Sequence, residues 1–345
     1  MSLLYTEIHE QPAVLSRLLK TERSHIRQIA EVIRERAPRF VVIAARGSSD
    51  NAARYGKYLF GAHNRLPVAL ATPSLFTLYQ SPPRLEDALV IAISQSGQSP
   101  DILAVVEEGR KQGALTLSLT NDTTSPLAAL SEHTIDLHAG PEKSVAATKT
   151  YTASMMALGM LSTALSEDES QRLALDCVPA LVTETLSQSD AILTSAQKYR
   201  NAHACVVLGR GYNYATAFEI ALKTKELSYV LAEPYSSADF KHGPVALVEG
   251  GFLVIAVIPE GKTASELTSF LQELKSRQPE LVIISPLEES LGMADVAIPI
   301  PENIPEWISP IVAITPGQLF ALGLAQAKGL DPDHPRGLSK VTKTK

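Results

Sequence analysis

The sequence has little of what marks several common protein classes. Its 345 residues include only 2 cysteines, Cys177 and Cys205, too few for a disulfide framework or a structural zinc site. Its 8 histidines are scattered, and none falls in the HxxxH or HxxE spacing of metal ligands. We therefore predict a protein that uses no metal and no other cofactor, in the reducing environment of the cytoplasm.

The sequence also lacks a basic excess and long apolar runs. It has 31 Lys and Arg against 37 Asp and Glu, and this acidic balance disfavours a nucleic-acid partner. No stretch of about 18 consecutive apolar residues occurs, so no membrane-spanning helix and no membrane partner are expected. The first ten residues have neither a basic start nor an apolar core, so they do not predict a signal peptide.

Short apolar runs alternate with helical patterns along the chain. The runs are continuous in Val, Ile and Leu, which is typical of parallel strands covered by helices on both faces. Strands are predicted at 40–44, 67–70, 88–93, 115–119, 134–137, 204–208, 252–257, 281–284 and 296–298. Helices are predicted at 49–60, 100–112, 214–229 and 263–277. This alternation indicates an α/β fold with doubly wound, mainly parallel sheets in three layers.

An internal repeat divides the pattern into two halves. Arg46 recurs as Arg210, an offset of 210 − 46 = 164 residues, and the apolar run 89–93 recurs at the same offset as 253–257. Because two separate segments share one offset, we predict two related α/β domains. The predicted organisation is a helical arm over 1–37, a first domain over 38–190, a second domain over 191–330 and a C-terminal tail over 331–345.

A serine-rich loop follows the predicted strand 88–93. This serine loop consists of Ser94, Gln95, Ser96, Gly97, Gln98 and Ser99. A helix is predicted to begin at Pro100, with Ser99 as its N-cap. Hydroxyls and backbone amides would then lie at the positive end of a helix dipole, so the loop predicts an anion site, and phosphate is the usual anion.

The second half carries an altered copy of this loop. At the same offset the sequence reads Ile-Pro-Glu-Gly-Lys-Thr over 258–263. The paired hydroxyls are gone, and the carboxylate of Glu260 would repel phosphate. We therefore expect only the first domain to bind phosphate.

A second turn in the first domain has a related composition. Gly47, Ser48 and Ser49 follow the predicted strand 40–44, and in parallel sheets ligands gather at the carboxyl ends of strands. Its counterpart at 209–214 has Tyr214 where a dinucleotide fingerprint needs glycine, and no GxxxxGK[ST] motif occurs. Neither a nicotinamide dinucleotide site nor a P-loop is predicted.

Charged residues on the predicted helix 214–229 suggest proton-transfer chemistry. Glu219, Lys223 and Glu226 are spaced i, i+4 and i+7, which places them on one helix face. Taken alone, this pattern also fits a solvated charged face. A polar segment follows, with His242 in a Lys-His-Gly-Pro sequence, and a histidine beside a carboxylate-bearing helix suits proton transfer.

Together these motifs resemble the sugar isomerase (SIS) domain family. The match runs from about residue 25 to the C-terminus. It includes the sequences GPE at 140–142, VAATK at 145–149, KHGP at 241–244 and DHPRGLSK at 333–340. The chain resembles most the isomerase half of the glutamine–fructose-6-phosphate aminotransferases, also called glucosamine-6-phosphate synthases. Its length and ending are also similar to stand-alone SIS-type glucosamine-6-phosphate deaminases. The resemblance implies two tandem SIS domains.

The resemblance also implies roles for individual residues. The sugar phosphate would be bound by Ser49, Ser94, Gln95, Ser96 and Ser99. Glu226 would be the base that moves a proton between C1 and C2, with Lys223 positioning substrate hydroxyls and Glu219 orienting that lysine. His242 would assist ring opening, reaching the site of the neighbouring subunit in a homodimer. Lys340 would meet the open-chain carbonyl and form a Schiff base.

Two departures from the aminotransferase pattern shape the expected activity. The glutaminase domain, with its N-terminal cysteine nucleophile, is not found, because no cysteine precedes Cys177. Ala147 stands where the synthases usually have serine, so one sugar contact is lost. We therefore expect deamination of glucosamine 6-phosphate to fructose 6-phosphate and ammonia. The alternatives are a fructosamine-6-phosphate deglycase, an aldose–ketose isomerase, ammonia-dependent synthesis, and a non-catalytic phosphosugar sensor or structural partner.

Overall fold

A computed structural model describes residues 2–340 of the chain. The described chain forms two compact units. The first lobe comprises Ala13–Glu142 and Lys149–Cys177, with residues 339–340. The second lobe comprises Val178–Leu338 and Lys143–Thr148, with residues 2–12.

The first lobe is built around one parallel sheet. Its strands are β1 (Phe40–Ala44), β2 (Val68–Leu70), β3 (Ala88–Ile93), β4 (Leu115–Thr120) and β5 (His133–Asp136). Its helices are α2 (Gln11–Arg36, whose first two residues belong to the second lobe), α3 (Ser48–Asn64), α4 (Ser74–Thr77), α5 (Pro100–Lys111), α6 (Pro126–Leu130) and α7 (Lys149–Ser166). All residues of β3 are buried, because the apolar side chains on both of its faces pack beneath helices.

The second lobe repeats this plan. Its strands are β6 (Ala204–Gly209), β7 (Leu231–Ser236), β8 (Leu253–Val257), β9 (Glu280–Ser285) and β10 (Val296–Pro299). Its helices are α1 (Leu3–His9), α9 (Ser189–Ala196), α10 (Tyr214–Ser228), α11 (Ser237–Lys241), α12 (Ala264–Leu274), α13 (Glu288–Leu291) and α14 (Ser309–Ala327). Helix α8 (Glu169–Leu186) continues from the first lobe into the second.

The two sheets have the same strand order. The first runs β2-β1-β3-β4-β5 and the second β7-β6-β8-β9-β10, and every pairing is parallel. This confirms the predicted α/β fold with two doubly wound parallel sheets. The order places β1 beside β3, and β6 beside β8. At these two positions the order of the strands along the sheet reverses, although the strands themselves remain parallel.

One strand was absent from the sequence prediction. The polar segment that contains His242 covers residues 232–244, and no strand is predicted in it. In the structure, β7 overlaps its beginning and forms an edge strand that pairs with β6 alone. Its residues are mostly exposed or half-buried, so it lacks the continuous apolar run that marks the inner strands. Pro234 lies within it, which an edge strand tolerates because one side of its backbone needs no partner.

Helix α14 is a long apolar core helix. By length and composition it could cross a membrane, although the sequence contains no uninterrupted apolar run of that length. Most of it is buried inside the second lobe, and all residues from Ser309 to Ala325 are buried. Gly317 lets it approach α10 closely, since a Cβ there would lie 2.3 Å from the side chain of Ile220.

Candidate active site

The first lobe has two loops at the position where the strand order of its sheet reverses. The turn at Gly47–Ser49 follows β1, and the serine loop follows β3. Because β1 and β3 are neighbouring parallel strands, both loops lie at the same carboxyl edge of the sheet. Each is followed by a helix of three turns or more, α3 and α5, so two helix N-termini begin at this edge.

The serine loop is held from within the lobe by its carbonyl groups. Gln95 O accepts hydrogen bonds from Asn121 N at 3.1 Å and Thr120 Oγ1 at 3.3 Å, and Gly97 O accepts one from Leu127 N at 3.1 Å. In contrast, the amides of four loop residues donate to no acceptor in residues 2–340; these are the amides of Gln95, Ser96, Gln98 and Ser99. The loop therefore keeps backbone donors without a partner among the described residues, as an anion site requires.

Two details of the serine loop depend on local geometry. Gly97 has φ of +61°, and a Cβ there would lie 2.1 Å from Ser125 Oγ, so only glycine fits. Ser99 stands at the N-cap position of α5, as predicted, but its side chain makes no capping hydrogen bond. Its hydroxyl is thus oriented away from the capping role and remains a possible ligand group.

The turn after β1 adds further donors. Gly47, with φ of +54°, occupies the N-cap of α3, and its lack of a side chain leaves the helix end uncapped. Ser48 and Ser49 are the first helical residues, so their amides have no acceptor within the helix. Amides and hydroxyls from both turns therefore meet the requirements of an anion site.

An ion pair joins the two turns. Arg46 Nε lies 2.7 Å from Asp101 Oδ2, and the aspartate side chain is fully buried while the arginine is half exposed. Asp101 also accepts the amide of Ile102 at 3.0 Å, in the first turn of α5. The pair fixes the end of β1 to the start of α5. Sequence reasoning assigned it no role, although Arg46 was visible in the repeat.

The matching loop of the second lobe holds a carboxylate from its own chain. Glu306 accepts hydrogen bonds from Lys262 N at 2.8 Å and from Thr263 Oγ1 at 2.7 Å. A Cβ on Gly261 would lie 2.5 Å from Glu306 Oε2, so the carboxylate sits directly against the loop. Burial, and to a smaller extent the charge of Glu306, raises the pKa of nearby Tyr212. The loop at 258–263 is thus filled from within.

The second lobe keeps the arginine brace, however. Arg210, the repeat counterpart of Arg46, pairs with Glu266 at 3.1 Å in the first turn of α12. Glu266 also contacts Ser237 Oγ at 2.8 Å and Lys241 Nζ at 3.2 Å. The two lobes share the scaffold of the strand-end loops, but only the loop after β8 is seen to hold a carboxylate of its own lobe among the described residues.

A buried charge cluster lies on α10. Lys223 Nζ lies 2.5 Å from Glu226 Oε2 and 3.5 Å from Glu219 Oε1. The side chains of Lys223 and Glu219 are 1% and 0% exposed, so they do not form a solvated face, whereas Glu226 is 23% exposed. A buried ammonium is tolerated here because two carboxylates flank it. Only Glu226 combines contact with the lysine and access to solvent, which suits a proton acceptor.

The remaining predicted residues lie in three places. His242 is exposed at the end of α11, where its amide donates to Asp239 O at 3.1 Å. Ala147 is half-buried in the segment Lys143–Thr148 of the second lobe. Lys340, in the first lobe, lies 2.7 Å from Glu142 Oε2. The rest of the predicted tail, residues 341–345, lies outside the described residues.

The cysteines and potential metal ligands add no further centre. Cys205 is buried in β6, and burial raises the pKa of its thiol to about 12, as suits a core residue. Cys177 is exposed. Within residues 2–340, no group of three or more His, Cys, Asp or Glu side chains is placed to hold a metal ion.

Comparison with known proteins agrees with this geometry. The model of the SIS domain family matches residues 36–164 and 198–327. Glutamine–fructose-6-phosphate aminotransferase from Thermococcus kodakarensis is 38% identical over 344 residues, covering 97% of this chain and 56% of that protein. The chain thus spans about half the length of the curated relatives that it matches.

Solved structures extend the likeness to three dimensions. A protein from Silicibacter pomeroyi, described as a phosphosugar isomerase, is 35% identical with a TM-score of 0.86, covering 96% of this chain and 100% of that one. The C-terminal domain of glucosamine-fructose-6-phosphate aminotransferase from Francisella tularensis is 27% identical with a TM-score of 0.87, covering 97% and 98%.

Proposed function

Because the chain belongs to the SIS domain family, we propose that it is a phosphosugar isomerase that acts as an amino-sugar-phosphate deaminase. It converts glucosamine 6-phosphate to fructose 6-phosphate and ammonia. The observation that carries the proposal is the pairing of two chemistries in one chain. The first lobe has unpartnered amides and hydroxyls at two helix N-termini, and the second has a solvent-accessible carboxylate against a buried lysine.

Phosphate binding is assigned to the first lobe. The serine loop and the turn at Gly47–Ser49 supply neutral donors, and the dipoles of α3 and α5 favour an anion at their N-termini. Arg46 holds the two turns together through Asp101. Binding the phosphate far from the reacting carbons supplies energy to orient the sugar without restricting the chemistry at C1 and C2.

Proton transfer is assigned to Glu226. In the open-chain substrate, its carboxylate removes the proton from C2. The electrons of that bond form a C1–C2 double bond, while the carbonyl electrons move to O1, which takes up a proton. Glu226 then returns its proton to C1 as the nitrogen on C2 loses one. The product is the imine at C2. Water adds to this imine and ammonia leaves, which yields the ketose phosphate. Lys223 lies beside Glu226 and stabilises negative charge that develops on substrate oxygens, while buried Glu219 orients the lysine.

His242 is proposed to assist ring opening by transferring a proton to the ring oxygen. Its exposure agrees with a role toward the neighbouring subunit of a homodimer. Mixing Glu226→Gln protein with His242→Ala protein tests this directly. Partial return of activity on mixing supports a shared site, and absence of any return contradicts it. We further propose that the enzyme works in the cytoplasm.

The decisive assay is incubation with glucosamine 6-phosphate, followed by measurement of ammonia and fructose 6-phosphate. We expect both products in equal amounts. Glu226→Gln should lower the rate by about 10²–10⁴-fold, the usual contribution of a general base, and abolish exchange of the C2 proton with deuterium while phosphosugar binding persists. Near-normal exchange in this variant would refute the assignment of the base.

A substrate panel separates the alternatives. Turnover of fructosamine 6-phosphates alone would identify a deglycase, and interconversion of aldose and ketose phosphates without ammonia would identify a plain isomerase. Tight phosphosugar binding with no turnover of any member would identify a sensor.

A further inference from the structure

The described end of the chain is held by a buried carboxylate. Lys340 Nζ lies 2.7 Å from Glu142 Oε2; the Glu142 side chain is fully buried and that of Lys340 is 23% exposed. Both residues belong to the first lobe. Burying a carboxylate is costly unless it is paired and hydrogen-bonded. The pairing of fully buried Glu142 with the side-chain ammonium of Lys340 therefore calls for a functional explanation.

Glu142 is itself fixed by the start of α7. Its Oε1 accepts the amide of Thr150 at 3.1 Å, and its Oε2 accepts Thr150 Oγ1 at 2.8 Å. The preceding residue is anchored as well, because Pro141 O accepts a hydrogen bond from buried Lys149 Nζ at 2.8 Å. The carboxylate therefore has a defined position before Lys340 reaches it, which is what distinguishes a preformed holder from an incidental surface pair.

We propose that Glu142 is a positioning residue for Lys340: it holds the lysine amine in place and accepts the proton that this amine must lose to form a Schiff base. The inference rests on the proposed function. The Gly140-Pro141-Glu142 sequence is one of the motifs that carry the family resemblance, but that resemblance implies no role for Glu142.

The proton balance of this step is complete without an outside reagent. The ammonium transfers one proton to the Glu142 carboxylate, and the nitrogen lone pair then attacks the open-chain carbonyl carbon. The carbonyl oxygen takes the proton back from Glu142, which gives the carbinolamine. The oxygen then leaves as water with a second proton from nitrogen, and the protonated Schiff base remains. Overall, an ammonium and a carbonyl become an iminium and water.

The first test traps the Schiff base. Protein is incubated with fructose 6-phosphate and cyanoborohydride, and the adduct on Lys340 is measured by mass spectrometry. Glu142→Gln should lower the trapping rate by roughly 10- to 100-fold, the loss expected when a reacting group is misplaced by about 1 Å. Phosphosugar affinity should stay within about twofold, because the serine loop is unchanged. Thr150→Val keeps the carboxylate but removes one of its donors, so it should give an intermediate loss.

Two controls separate positioning from general damage. Glu22→Gln removes another buried carboxylate of the first lobe, held by His138 at 2.8 Å and His25 at 2.9 Å, and should leave trapping unchanged. The second control is the double variant Glu142→Gln/Lys340→Ala. If Glu142 acts through Lys340, this variant has the same turnover as Lys340→Ala alone. A further loss in the double variant would show a structural role and overturn the proposal.

A second measurement needs no substrate. Amines are acetylated with an N-hydroxysuccinimide ester, and Lys340 is compared with exposed Lys57 as an internal reference. Glu142→Gln should make Lys340 react several-fold faster while Lys57 is unchanged. Equal rates in both proteins would overturn the proposal.

The two measurements also distinguish failure of the inference from failure of the proposed function. Trapping that is equally fast in wild type and Glu142→Gln refutes the positioning role and leaves the proposed function standing. Protection of Lys340 without trapping or turnover in wild type refutes both the proposed function and the role of Glu142 in it.

Discussion

The two lobes contain corresponding strand-end loops that differ in their hydrogen-bond partners. In the first lobe, the loop after the inner strand β3 keeps four amides without an acceptor among residues 2–340. In the second lobe, the equivalent loop after β8 binds the carboxylate of Glu306. The backbone scaffold is common to both, since the strand order is the same and an arginine after the first inner strand pairs with an acid in each.

This difference shows how a duplicated fold can divide one task. An anion site needs donors that the protein does not satisfy itself. The second lobe satisfies its own loop with a carboxylate, and the chemistry that we propose for it is on the face of α10, where Lys223 and Glu226 meet. The repeat therefore accounts for the common scaffold, and the proposed function rests on the departures from the repeat.

Substitution of the equivalent glycines should give the largest difference between the two lobes. Gly97→Ala should lower phosphosugar affinity by roughly a hundredfold, about 2.7 kcal/mol, because its Cβ would lie 2.1 Å from Ser125 Oγ and the loop must move. Gly261→Ala also clashes, with Glu306, and should destabilise the second lobe while leaving that affinity largely intact. Titration calorimetry and thermal unfolding measure the two effects. Equal losses of affinity in both variants would contradict the division of roles.

A milder variant tests the same loop even if Gly97→Ala does not fold. Ser99→Ala removes a hydroxyl that makes no capping bond, so stability should be unchanged while phosphosugar affinity falls by roughly tenfold, or about 1.4 kcal/mol. Loss of stability with unchanged affinity would show that the hydroxyl serves the helix rather than a ligand.

The arginine braces give a second matched pair. Asp101→Asn weakens a charge-assisted bond to a fully buried acceptor and should lower the free energy of unfolding by about 1.5–3 kcal/mol. Glu266→Gln alters an ion pair whose side chains are about one-third exposed, and it should lower the free energy of unfolding by about 1 kcal/mol or less. Urea unfolding measures both. Asp101→Asn should also weaken phosphosugar binding, and Glu266→Gln should not.

Glu306→Gln tests whether the second loop is closed by its own carboxylate. Two hydrogen bonds lose a charged acceptor, and because Glu306 is only half-buried we expect a loss of about 1–2 kcal/mol in unfolding free energy. Glu306→Ala, which empties the loop, should in addition create a weak site for inorganic phosphate. If calorimetry finds no second phosphate site in Glu306→Ala, Glu306 only stabilises the loop and does not occupy the place of a phosphate.

The smallest expected effect concerns the cysteines. A thiol reagent should modify exposed Cys177 rapidly in the native protein with no change in turnover. Cys205 should stay unmodified, because burial raises the pKa of its thiol to about 12 and excludes the reagent. Mass spectrometry counts the labels. Cys205 can react only when the second lobe opens. Labelling of Cys205 that is faster in Glu306→Ala than in Asp101→Asn would therefore show that Glu306 stabilises the second lobe and Asp101 the first.

Much of the fold follows from local sequence pattern. Inner strands such as β3 and β8 are continuous apolar runs, and the shared offset of 164 residues revealed the duplication. The edge strand β7 could not be found this way, since a half-exposed strand containing Pro234 lacks both the apolar run and a regular alternation. Helix bounds were close where turn residues mark them, as at Pro100.

The candidate site was predicted from residues that are close in sequence. The serine loop and the charges on α10 are local motifs, so spacing alone identified them. Glu306 and Glu142 were not identified, because each meets its partner across a long stretch of chain, and no local pattern marks a glutamate that will fill a distant loop or hold a distant lysine. Burial of Glu219 and Lys223 also required the packing of α10 against α14.

The number of phosphosugar molecules bound per chain shows whether one lobe or both bind phosphate. Titration calorimetry on the wild-type protein with fructose 6-phosphate should give one molecule per chain, with affinity lowered roughly a hundredfold, about 2.7 kcal/mol, in Gly97→Ala and kept in Gly261→Ala. Two molecules per chain, or binding that survives Gly97→Ala and disappears in Gly261→Ala, would contradict the assignment of phosphate binding to the first lobe alone.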